Sequence, residues 1–184
     1  FKRGSGKKVT PDLFAKLDRE ALKRTLIEAI AIPSPSCRER EFANYVVKKF
    51  RDIGVEARMD DALQNLDSLP QEEQVAVYCD DGKHRPASGN VVAFIPPTDP
   101  NLPSFNFSFH LDTRPDDNHD VVEMNGHLYS KSTKSGILGA DDKAGFAIIY
   151  EVVKLILEEG VPHGGIQITG MPAEEDSGFG GKFA

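Results

Sequence analysis

The sequence is poor in the features that place a protein quickly. It has two cysteines in 184 residues, Cys37 and Cys79, far apart and in no CxxC pattern. That predicts no disulfide framework and no thiolate zinc finger, and makes a reducing, cytoplasmic location the expected one. No apolar run approaches the ~20 residues that a bilayer-crossing helix needs, so no membrane association is expected. The opening Phe1-Lys2-Arg3-Gly4-Ser5-Gly6-Lys7-Lys8 is basic but has no apolar h-region, which rules it out as a secretory signal. It also lacks an initiating Met, leaving room for residues ahead of Phe1. Basic excess is missing too: 22 Lys and Arg stand against 29 Asp and Glu, a net charge of -7. Duplex nucleic acid is therefore not an expected partner, because phosphate binding relies on clustered cations. There is no internal repeat and no low-complexity tract.

What is present is the composition of a globular domain, with 39% hydrophobic and 28% charged residues. The length suits one domain with a real core. Residues 1–9 read as a flexible tail and 10–184 as the folded part. Thr10-Pro11 starts a helix whose apolar positions, Phe14, Leu17, Ala21, Leu22, Leu26, Ile27 and Ile30, recur at helical spacing with a break near Asp18. The prolines of Ile32-Pro33-Ser34-Pro35-Ser36 force a loop, and Ser36 with Glu39 reads as a capping box for a second helix that Gly54 ends. Val55–Met59 and Val75–Cys79 read as strands, with a polar loop at 61–74 between them. Val91–Ile95 is a continuous apolar run, expected to be buried on both faces. Phe105–His110 is the next strand, and Asn125-Gly126 marks a hairpin. A largely buried helix follows Asp142, Ile166–Met171 is a further strand, and a helix starts near Gly178. Helices precede and separate apolar strands, so the expected fold class is α/β, with a mixed, mainly parallel sheet sandwiched by helices.

Three clusters carry chemistry, each at a place where a strand gives way to loop. His110 and Asp112 are two apart on extended chain, so their side chains leave the same side. A metal-binding His commonly donates its second ring N–H to a carboxylate, which fixes the tautomer, and an HxD step can deliver both groups; it can equally be a turn cap beside a structural histidine. Asp141 and Asp142 stand at a helix N-terminus, where capping and the macrodipole favour Asp without any metal. The small residues around them, Gly139-Ala140 and Ala144-Gly145, give the room that a bridging carboxylate needs. Glu174-Glu175 follows an apolar strand, at the end where ligands gather in open α/β sheets. One Glu can hold a metal there while the other takes a proton from water.

Taken together, His110-x-Asp112-Thr113, Leu138-Gly139-Ala140-Asp141-Asp142-Lys143-Ala144-Gly145 and Glu174-Glu175 resemble, in that order, the di-zinc exopeptidase and deacylase family of peptidase T, carboxypeptidase G and aminoacylase. The resemblance runs from about Leu22 onward and includes the Ile32-Pro33-Ser34 loop. Asn125-Gly126-His127-Leu128-Tyr129 ahead of the middle motif makes it most similar to the peptidase T branch. The resemblance implies two Zn2+ ions, with His110 and Glu175 each a metal ligand and Asp141 the carboxylate shared between the ions. It implies a cis peptide at Asp141-Asp142, Asp112 as the residue that orients His110, and Glu174 as the general base. The implied activity is hydrolysis of an amide by a water lying between the zincs, with short peptides as substrates and an aminopeptidase as the expected enzyme.

The departures are as plain. The family uses one further carboxylate ligand beyond the Glu pair and a His near the end of a longer chain, whereas this sequence ends at Ala184. The smaller domain that serves as lid and dimerisation surface is missing, so any homodimer would form through residues outside this chain. His119, His127 and His163 match none of the ligand positions and read as loop histidines, and His84 as solvated. The 184 residues are therefore expected to be the N-terminal part of a catalytic domain, inactive and weak in metal binding on their own. Two alternatives stand beside the aminopeptidase: a carboxypeptidase or N-acyl amino acid deacylase of the same family, and a non-catalytic α/β binding module with a vestigial metal site.

Overall fold

The computed structural model describes residues 12–60, 88–131 and 138–177. The expected tail at 1–9, the Thr10-Pro11 helix start, the loop at 61–74, the strand at Val75–Cys79, His84 and the helix near Gly178 lie outside those residues.

The break read near Asp18 is where the first helical stretch divides. Helix α1 covers Asp12–Ala15 and α2 covers Arg19–Ile30. Asp18 takes an extended conformation and its carboxylate accepts the N–H groups of Glu20 and Ala21, which satisfies two of the first-turn donors. Helix α3, Arg40–Asp52, buries Phe42, Val46 and Phe50 completely, and Gly54 turns the chain out of it with φ +81.

Strands β1 (Glu56–Met59), β2 (Val91–Ile95) and β3 (Phe105–His110) precede a hairpin of β4 (Val121–Met124) and β5 (His127–Ser130). Helix α4 (Lys143–Glu158), strand β6 (Ile166–Met171) and the short α5 (Glu174–Ser177) complete the described chain. The main sheet runs β1-β2-β6-β3. Its β1–β2 and β2–β6 pairs are antiparallel and its β3–β6 pair is parallel, so the fold is α/β with a mixed sheet. The hairpin turns at Asn125 and Gly126, with φ values of 53 and 77, the positive pair that a type I′ turn requires.

The core lies between one face of this sheet and the helices. Phe146 of α4 is fully buried at the centre of an aromatic cluster, with ring centroids of Phe42 at 5.6 Å, Phe50 at 6.2 Å, Phe109 at 5.5 Å and Tyr150 at 5.9 Å. These distances suit edge and offset contacts between aromatic rings. Gly170 on β6 makes room for this packing, since a Cβ there would stand 2.9 Å from the ring of Phe109.

Two expectations need correction. Val91–Ile95 is not buried on both faces: Val91, Ala93 and Ile95 face the core while Phe94 is 48% exposed, because the described helices pack against one side of the sheet. Helix α4 is largely covered, as expected: Lys143, Phe146, Ala147, Tyr150, Glu151 and Val153 are buried, and Ile148 and Glu158 are its exposed residues. Cys37 is disulfide-bonded, which removes the cysteine argument for a reducing compartment. No described helix is long and apolar enough to cross a membrane.

Candidate metal centre

The site is built by register. In the parallel β3–β6 pair His110 stands opposite Met171, so the two strands deliver His110-Leu111-Asp112 and Ala173-Glu174-Glu175 at the same end of the sheet. The N-terminus of α4 comes to that end as well, and with it Asp141 and Asp142.

His110 is buried, and its ring is held from one side. Its Nδ1–H donates to the backbone oxygen of Asp112 at 2.8 Å, with the Asp112 carboxylate at 3.5 Å. This leaves Nε2 facing the Asp141 Oδ1 at 3.2 Å. Asp112 is fully buried and works as a hub. Its two carboxylate oxygens accept the hydroxyl of Ser36 at 2.6 Å, the N–H of Glu174 at 2.9 Å and the N–H of Glu175 at 3.0 Å. Burial pushes the Asp112 carboxyl up, but His110, the Ser36 hydroxyl and the two amides outweigh it and hold the group below its usual range. Burial pulls His110 down, yet the hydrogen bond and charge of Asp112 raise it to about 9.

The two aspartates at the head of α4 divide their work. Asp142 is the N-cap: its carboxylate accepts the Gly145 N–H at 2.9 Å. Gly145 is needed there, because a Cβ would sit 2.3 Å from that carboxylate oxygen. Burial raises the Asp142 carboxyl. The Asp141-Asp142 peptide bond is cis, and the side chain of Asp141 turns outward, 80% exposed. Lys143 follows them into the interior, fully buried, donating to the backbone oxygens of Ala29 (2.9 Å) and Ile32. Burial lowers its ammonium to about 7.

His110, Asp141 and Glu175 come together, with one ligand atom from each lying within 4.8 Å of the others. One imidazole and two carboxylates are an N/O donor set suited to a divalent metal such as zinc. The fixed Nδ1–H leaves Nε2 as the ligand nitrogen, the arrangement common to metal-binding histidines. Burial and the neighbouring carboxylates of Asp141, Asp112 and Glu174 raise Glu175, a crowding of negative charge that a cation would relieve. Glu174 stands beside this cluster with its side chain exposed and its amide tied to Asp112. Of the other histidines, His119 donates to the Ile30 oxygen at 2.9 Å and His163 is buried against the Gly164 oxygen at 2.6 Å. His127 lies on β5, not in a loop.

Sequence reasoning missed the part played by the loop between α2 and α3. Ser36 and Glu39 do not form a capping box; Glu39 makes no side-chain cap bond to α3. Ser36 instead donates to Asp112, and Glu39 Oε1 accepts the N–H groups of Cys37 at 2.6 Å and Ala173 at 3.1 Å. The Ser-x-x-Glu spacing was the signal, but Asp112 and Ala173 lie across the fold, where local spacing says nothing. Backbone bonds zip this loop to the HxD segment: Ser36 N–H to the Thr113 oxygen at 3.2 Å and Thr113 N–H to the Ser34 oxygen at 2.9 Å.

Comparison with known proteins agrees with this architecture. No family model matches the chain. The uncharacterized protein YqjE of Bacillus subtilis is 29% identical over 90% of this chain and 39% of its own length. Among solved structures, the aminopeptidase PepT of Bacillus cereus matches with a TM-score of 0.75 and 28% identity, covering 91% of this chain and 40% of that one. A tripeptidase of Staphylococcus aureus matches with a TM-score of 0.74 and 26% identity, covering 91% of this chain and 40% of that one. The chain thus spans well under half the length of these relatives. The likenesses to PepT and the tripeptidase bear out the resemblance to the peptidase T family drawn from the motifs.

Proposed function

We propose that this chain is the first part of the catalytic domain of a longer metallopeptidase, which removes the N-terminal residue from short peptides in a zinc-dependent hydrolysis. The observation that supports this reading is the convergence of His110, Asp141 and Glu175, from three separate elements, within 4.8 Å. In this reading His110, Asp141 and Glu175 would hold the metal, Asp141 being the most exposed of them. Zinc bound there would supply Lewis-acid polarisation of the scissile carbonyl and a more acidic water.

The chain's own residues supply the rest. Glu174 is the general base: its side chain is open to solvent next to the ligands, so a carboxylate oxygen can take a proton from water and return it to the leaving amine. Asp112 touches no substrate; it orients the His110 ring and fixes the amides of both glutamates. The remaining ligands, the lid and any dimerisation surface belong, in this reading, to the rest of the protein. The 184 residues alone are then inactive and hold metal weakly, since two zinc sites need more than these three ligands.

The test uses the full-length protein loaded with zinc and a tripeptide, with the released N-terminal residue measured by chromatography. Glu174→Gln is expected to lower turnover by about 10²–10⁴-fold, the contribution of a positioned general base. Turnover equal to wild type would refute the role of Glu174, and absence of any peptide hydrolysis would refute the reading.

A further inference from the structure

Glu39 is a fully buried carboxylate that the reaction does not use. It sits ahead of α3 without capping it, and its Oε1 accepts the Ala173 N–H at 3.1 Å. The next two amides along the chain, those of Glu174 and Glu175, go to the two oxygens of Asp112 at 2.9 and 3.0 Å. Three successive N–H groups are thus taken by two buried carboxylates. Ala173 is itself buried and has φ 53, a left-handed conformation that residues other than Gly, Asn and Asp seldom adopt. Such a turn persists only where its surroundings over-determine it, and the bond to Glu39 is the contact made by that residue's own amide. The segment that carries Glu39 also carries Ser36, whose hydroxyl donates to Asp112 at 2.6 Å. One loop therefore braces both carboxylates.

We infer that Glu39 is a positioning residue for the site, setting through the Ala173 amide the direction in which Glu174 and Glu175 leave β6. The side chain suits the task, because its length brings Oε1 to the Ala173 amide and a buried polar group is stable only when it is so satisfied. The inference rests on the metallopeptidase reading for its consequence in turnover, but the clamp itself is a statement about three amides.

The experiment follows amide hydrogen exchange at single residues in the full-length protein, alongside steady-state kinetics. In the wild type the Ala173 amide is expected to be protected. Glu39→Asp keeps the carboxyl group and withdraws it by one methylene, so exchange at 173–175 should rise about tenfold while that of Ile168 in β6 stays unchanged. Turnover should fall with KM unaltered. Glu39→Gln keeps an acceptor oxygen at the original reach and should restore protection and most of the turnover. Unchanged exchange at 173–175 in Glu39→Asp would overturn the assignment. Should Glu39→Asp fail to fold, the wild type decides: a protected Ala173 amide supports the clamp and an unprotected one refutes it. Protection without any peptidase activity would retain the clamp and sink the proposed function, so the two failures are distinguishable.

Discussion

The two halves of the candidate centre are made differently. One half, His110 and Asp112, is inside the protein, with 9% and 0% of its surface exposed and with bonds to Ser36, the Asp112 oxygen and two amides. The other half, Asp141 and Glu174, points its side chains toward solvent, and Asp141 meets the buried half through one contact, its Oδ1 3.2 Å from His110 Nε2. Both halves offer oxygen or nitrogen donors, yet the first is tied into the fold by several side-chain bonds and the second by that one contact. The difference separates two requirements. A group that orients others has to be immobile, and burial among matched donors achieves that. A group that accepts an ion or passes a proton has to stay reachable, so its energetic connection to the fold is slight.

The sharpest way to break this contrast is Asp112→Ala. It strands two partly buried amides and a hydroxyl and removes the carboxylate 3.5 Å from His110 Nδ1, while the backbone oxygen that holds the ring stays. A loss of about 3 kcal/mol or more is expected from removing one member of a buried, hydrogen-bonded charged group, read as a lower denaturation midpoint. A stability within 1 kcal/mol of wild type would show that the buried half is no better anchored than the open one.

A second test uses pH on the metal-free protein. Burial lowers His110 and Asp112 raises it further, to a net value of about 9. The unfolded value is about 6.5, so the group stabilises the fold fully below that pH and the contribution is lost as pH rises through about 9. The stability gap between wild type and His110→Gln, measured with chelator present, should therefore be widest near pH 6 and close above pH 9. Lys143, which burial holds near 7, titrates in both proteins and cancels from the difference. A gap that does not narrow would contradict the pairing of His110 with Asp112.

The smallest expected effect is on the open half. Asp141→Asn should change the denaturation midpoint by no more than about 0.5 kcal/mol, as for surface positions generally. A larger loss would mean that Asp141 supports the fold in addition to facing the ligand position.

Much of this was legible from local chemistry. The Asp18 break, the Asn125-Gly126 hairpin and the presence of a capping Asp at the head of α4 follow from residues within a few positions of one another. The convergence of His110, Asp141 and Glu175 was legible only through their joint occurrence at strand and helix ends. What could not be read is tertiary. Ser36 and Glu39 look like a helix cap because that is what the spacing supports in isolation; their partners are 76 and 134 residues away. Val91–Ile95 looks doubly buried because an apolar run carries no information about which face the helices choose. The disulfide at Cys37 left no trace in a two-cysteine composition.

The parallel pairing of β3 with β6 has a consequence for how the centre comes into being. Asp112 and the Glu174 amide it holds are separated by 62 residues of chain. Closing a loop of that length costs entropy that no local contact repays in advance, and non-local strand pairing of this kind slows folding. The ligand cluster therefore has no precursor in the disordered chain: it appears when the sheet does. Any ion that binds it reports the assembled sheet and adds its binding free energy to the stability of that pair of strands.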